Sequence, residues 1–115
     1  MLAITVVTAA CDLDPFGLAQ RRVVGRVSLE VFELDSYYLH VPESSEAPSG
    51  QLKGHVRQVA WDSTTVLVER DSDYVTVDIA SGWVDGPLNR TAAQQQPLFA
   101  RLAPADEVWH GLPMF

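Results

Sequence analysis

From residue 21 the chain alternates between apolar and polar positions. RRVVGRVSLEVFEL, residues 21–34, sets Val27, Leu29 and Val31 against Arg26, Ser28 and Glu30, a period of two that predicts a strand with one buried face. Gly25 interrupts the run and predicts a bulge. DSYYLHV, residues 35–41, predicts a second strand rich in aromatic and β-branched residues, with Asp35 and Ser36 forming the turn before it. The first strand is its natural partner.

PESSEAPSGQLKG, residues 42–54, breaks the alternation as a polar loop in which only Leu52 gains from burial. Strands resume at HVRQVAW, and TTVLVER pairs with YVTVDI as a hairpin across the three residues DSD. ASG then turns the chain into WVDG. The run from His55 to Asp85 resembles one blade of a β-propeller, a four-stranded antiparallel meander, in a single copy. Beyond it, NRTAAQQQPLFARL carries good helix formers and an apolar set, Leu98, Phe99 and Leu102, with Leu102 four and three residues after the other two. Pro97 fits the first turn of a helix, and a second turn from Pro104 brings Val108 and Trp109 towards the sheet.

The opening follows another pattern. Residues 2–10, LAITVVTAA, are uncharged, have the length of a signal-peptide apolar region, and end in small residues before Cys11. Ala9, Ala10 and Cys11 resemble the last three positions of the lipobox of bacterial lipoproteins, although Thr8 stands where that family usually has Leu and no basic residue precedes the run. The resemblance implies cleavage before Cys11 and acylation of that cysteine. In enterobacterial members an aspartate in the place of Asp12 accompanies retention at the inner membrane. The residues also admit a second reading, in which Ile4, Val6 and Val7 with Thr5 and Thr8 form a first β-strand and Cys11 is a small buried side chain.

Composition narrows the partners. Fifteen acidic residues against eight Lys plus Arg give a formal charge of −7, and no basic, aromatic-laced cluster is present to follow a phosphate backbone, so nucleic acid is not an expected partner. One cysteine excludes a disulfide within this chain. No apolar run reaches the roughly 18–20 residues of a membrane-crossing helix, which leaves a lipid on Cys11 as the expected membrane contact.

Candidate chemistry is sparse. His40, His55 and His110 fall on different predicted elements without metal-ligand spacing. Asp71 and Asp73 offer oxygens to a cation, but read better as solvated acids at a hairpin tip, and Asp12 and Asp14 read the same way. No nucleophile elbow, phosphate loop or nucleotide fingerprint occurs, and no cofactor is expected. Asn89-Arg90-Thr91 matches the glycosylation acceptor pattern, which has no bearing on a bacterial lipoprotein. The large aromatics are the residues most able to form cores or interaction surfaces. Tyr37 and Tyr38 are adjacent on a strand and so point to opposite faces; with Trp83 they are the candidate interaction residues.

The expected fold is mainly β, an antiparallel meander or small sandwich, partly propeller-blade-like, with one or two short C-terminal helical segments. Residues 1–10 form a signal-like segment or a first strand, 11–20 a tether or turn, and 21–115 a single β-rich domain. The expected function is that of a small bacterial lipoprotein, a non-enzymatic envelope protein that binds a partner through a sheet edge or aromatic face. A soluble cytoplasmic inhibitor or immunity-type protein, its acidity suited to a basic partner, is the alternative. A small enzyme with a site hidden from sequence comes third.

Overall fold

The computed structural model describes residues 19–32, 36–43, 47 and 49–113. Among these residues eight strands form two antiparallel sheets, β1 (Ala19–Val24), β2 (Val27–Phe32) and β3 (Ser36–His40) in one, and β4 (Gln58–Trp61), β5 (Thr65–Glu69), β6 (Tyr74–Asp78), β7 (Val84–Leu88) and β8 (Ala103–Pro104) in the other. The orders are β1-β2-β3 and β7-β6-β5-β4-β8. The meander from β4 to β7 is the expected blade-like unit, and β8 adds a short fifth strand beside β4.

The long alternating run is two strands, not one. Val24 pairs with Val27 across Gly25 and Arg26, and Gly25 takes φ +56°, a left-handed conformation open to glycine that lets the chain reverse. The irregularity expected at Gly25 does occur, but between Arg22 and Val24, at the mouth of the turn. Ser36 stands inside β3 opposite Phe32 instead of in the preceding turn.

The sheets face each other across the main core. Val27, Leu29, Tyr37 and Leu39 of the three-stranded sheet pack with Val59, Val66, Val68, Val75 and Val77 of the five-stranded one. Leu67 and Tyr74 point to the opposite face, where Ala93, Leu98, Phe99 and Leu102 cover them. Burial on both faces explains why β5 is apolar at consecutive positions instead of alternating. The covering layer consists of α1 (Arg90–Gln94), capped by the Asn89 side chain, and a 3-10 turn over Pro97–Arg101. Pro97 opens that turn, as expected.

Helix α2 (Ala105–Gly111) buries Trp109 in the main core. Arg21 fixes it there, with its guanidinium 4.5 Å from the Trp109 ring centroid and Nη1 donating to the Trp109 carbonyl at 2.8 Å. No helix among the described residues is long and apolar enough to cross a membrane.

The polar loop is partly built into the fold. Val41 N–H donates to the Gly50 carbonyl, Leu52 N–H to Leu39, and Val56 N–H to Tyr37, each at 2.8 Å. Residues 50–56 therefore cover the outer edge of β3, while Leu52 and Ala47 enter the core.

Candidate functional site

The outward face of the three-stranded sheet is polar, and the register orders it into rows. Gln20, Glu30 and Tyr38 lie side by side across the strands; Arg22, Ser28 and His40 form the next row. Glu30 sits on this solvent side yet its side chain is only 10% exposed. Its Oε1 accepts from His40 Nε2 at 2.8 Å and from Gln51 Nε2 at 2.9 Å. Gln51 reaches it because the 50–56 segment bridges to β3 at His40. The carboxylate has only acceptors to offer, so a neutral His40 must carry its proton on Nε2. Its Nδ1 is then left as an acceptor.

Beside this cluster, the Tyr38 hydroxyl and His55 Nε2 share a 2.7 Å hydrogen bond, and their rings meet edge to face at 4.9 Å. His55 Nδ1 lies 3.8 Å from Asp71 Oδ2, beyond hydrogen-bond reach. Asp73 holds Arg70 through two bonds of 2.7 and 2.8 Å, and Asp71 lies 3.9 Å from Arg57. Both hairpin acids thus face arginines. The tip itself spans four residues, because Glu69 pairs with Tyr74. His110 is remote from this face, with Nδ1 on the Asp106 carbonyl at 2.7 Å.

At the end of this outward polar face, where the turn before β7 reaches the three-stranded sheet, lies a cleft of about 520 Å³. Gln20, Arg26, Ser28 and His40 line it from one sheet, Glu43 and Gly50 from the loop after β3, and Ser81 from the turn before β7. Ser28 Oγ donates to Gln20 Oε1 at 3.1 Å, which leaves the Gln20 amide N–H groups as donors. Arg26 makes one long bond, 3.4 Å to the Ala80 carbonyl, and no described carboxylate lies within ion-pair distance of it.

The turn from 79 to 83 is tightly tied. Gly82 takes φ +77° and packs against Pro42, where any Cβ would strike the Pro42 carbonyl. Ser81 Oγ and N–H both donate to Asp78, at 2.7 and 3.0 Å, and these bonds hold the Asp78 carboxyl below its ordinary value. Trp83 N–H donates in turn to Ser81 Oγ at 3.1 Å. The Trp83 side chain projects outward and the residue is 58% exposed.

The candidate interaction residues therefore separate. Tyr37 is buried, its ring 6.1 Å from that of Trp109, so it belongs to the core and not to an outer surface. The strand alternation that separates it from half-buried Tyr38 is the physical reason. Trp83 is exposed, two residues along the chain from cleft-lining Ser81. Cys11, with Asp12 and Asp14, lies outside the described residues.

Sequence reading passed over Glu30, Gln20, Arg26 and Gln51. Period-two alternation put Glu30 on the solvent side, and no local signal marks its coverage by His40 and Gln51, 10 and 21 residues away. Among the described residues, no group of three or more His, Cys, Asp or Glu side chains is gathered as for a metal ion. No family model, curated protein or solved structure matches this chain.

Proposed function

We propose that this protein is a non-enzymatic binding module, carried at the cell envelope by a lipid on Cys11, with a recognition surface formed by the polar-face cleft and Trp83. The observation that carries the reading is Trp83, a tryptophan 58% exposed two residues from cleft-lining Ser81. Tryptophan gains more than most side chains from desolvation at an interface, and a large exposed ring on the turn that supplies a cleft residue suits a partner anchor. The ordering of the 79–83 turn by Asp78, Ser81 and Gly82 supports the reading, because a prearranged anchor loses little entropy on binding.

Recognition without catalysis is favoured by the cleft hydroxyls. Ser28 donates to Gln20 and Ser81 to Asp78, so both hydroxyl protons are directed at partners other than a histidine base. The envelope placement rests on Ala9, Ala10 and Cys11 alone.

Two measurements test the two halves. Mass spectrometry of the chain expressed in a bacterial host should show loss of residues 1–10 and added lipid mass; an intact, unmodified N-terminus in the soluble fraction refutes the anchor and favours the soluble inhibitor. A photoreactive phenylalanine analogue replacing Trp83 should give a discrete cross-linked adduct in cells, and the same analogue at Arg101, on the far layer, should not. No adduct at either position, or equal adducts at both, refutes the recognition surface.

A further inference from the structure

We infer that the cleft binds a carboxylate flanked by a hydrogen-bond donor, the chemistry shared by a small α-amido acid and a peptide C-terminus. This rests on the binding-module reading and names what the same surface takes.

The inference starts from the direction of each hydrogen bond around the cleft. Glu30 accepts from His40 Nε2, so a neutral His40 leaves its Nδ1 to accept. Ser28 donates to Gln20 Oε1, so the Gln20 amide is left to donate. Arg26 lies two positions before Ser28, at the tip of the β1–β2 hairpin, with a donor fork engaged only by the 3.4 Å bond to Ala80. Ser28 and His40 stand opposite each other across β2 and β3, which brings the remaining donors and acceptor to one wall.

A ligand that complements this wall needs an anionic acceptor for Arg26 and Gln20 and a neighbouring N–H or O–H for His40. A planar carboxylate matches the guanidinium fork through two parallel bonds. Glu43, which also lines the cleft, disfavours a second negative charge on the ligand. The volume of about 520 Å³ falls in the range of small-ligand sites. In a chain with a formal charge of −7, an arginine with no carboxylate of the described residues in ion-pair distance is a specific anchor against an otherwise repulsive background.

The test is an NMR titration of the full chain with N-acetylglycine, N-acetylglycinamide, and an acetylated trialanine as free acid and as amide. Both acids should shift the amide resonances of Arg26, Ser28, His40 and Ser81, and bind roughly tenfold or more tightly than their amides. Arg26→Gln should reduce that preference to about onefold while leaving the amides unchanged, and Arg26→Lys should restore only part of it. A tighter trialanine acid that also perturbs Trp83 assigns a peptide terminus, and equal affinity of the two acids assigns a small acid. Equal binding of acid and amide, or acid binding that survives Arg26→Gln, overturns the carboxylate and leaves the binding module standing. Absence of any shift with all four probes overturns the inference as well, and the Trp83 cross-link then decides the module separately.

Discussion

Replacing Glu30 tests whether the polar face is held together by the contacts described. Glu30→Ala removes the acceptor of two hydrogen bonds, 2.8 Å from His40 and 2.9 Å from Gln51. A bond to an ionised group contributes about 1.5–3 kcal/mol in a folded protein. The two converge on one oxygen, and His40 is 28% exposed, so both donors recover part of their loss from water. Relief of the buried carboxylate's desolvation offsets more. The expected destabilisation is about 2 kcal/mol, or about 8 °C in Tm at this chain length.

Glu30→Gln keeps one acceptor oxygen and should lose about 1 kcal/mol. Glu30→Leu is the sharper probe, because an apolar side chain in a nine-tenths-buried position should equal or exceed the wild type if packing alone mattered there. It should instead fall near Glu30→Ala. Urea unfolding at pH 7 measures all three, and a double-mutant cycle with His40→Ala should return a coupling of about 1 kcal/mol. A Glu30→Ala loss below about 0.5 kcal/mol together with negligible coupling would refute the reasoning.

Three further perturbations follow from the same geometry. Trp109→Ala should destabilise by about 3–4 kcal/mol in urea unfolding, since the residue is 7% exposed and faces Tyr37 and Arg21; a loss below about 1.5 kcal/mol would show that α2 is not anchored as described. Gly82→Ala should lower stability by about 2 kcal/mol or more, because φ +77° and the Pro42 carbonyl both oppose a side chain. Thermal unfolding unchanged by Gly82→Ala would contradict that contact. The bonds from Ser81 hold the Asp78 carboxyl below its ordinary value of 3.8. Its stabilisation is therefore complete above that value and disappears as pH falls through the lower folded value. The stability difference between the wild type and Asp78→Ala should be constant above about pH 5 and shrink in acid; a difference that grows in acid has the wrong sign.

The mainly β fold was legible because its cause is local. Val27, Leu29 and Val31 alternate as a one-sided strand must, and all three turn towards the core. Pro97 and Pro104 mark the starts of helical segments because proline already has the required φ and lacks only a donor that a helix start leaves unused. The hairpin at Gly25 was less legible: VVGRV has no Asn-Gly or Asp-Gly pair, and only the left-handed φ of Gly25 shows that the chain reverses. The candidate site was hidden for a different reason. Trp83, Tyr37 and Tyr38 stand out by residue type, but exposure separates them, and exposure follows from how the sheets meet. Glu30 and Arg26 read as ordinary solvent-facing charges. One is buried by a segment some twenty residues on, and the other reaches the Ala80 carbonyl of a turn more than fifty residues away.

The cleft also belongs to the fold in a way that a patch on one sheet does not. Arg26, Ser28 and His40 come from the three-stranded sheet, while Ser81 comes from the meander. The two are joined at the close approach of Gly82 to Pro42. Neither sheet alone has the cleft, so anything that binds it binds the docked pair and stabilises the docking by mass action. Substitutions at the joint and at the wall should then differ in kind. Gly82→Ala opposes docking and weakens stability and binding together, whereas Arg26→Gln removes a donor fork that the fold barely uses and weakens binding alone. Because Arg26 is exposed and contributes so little to the fold, its substitution separates binding from stability, which Gly82→Ala cannot do.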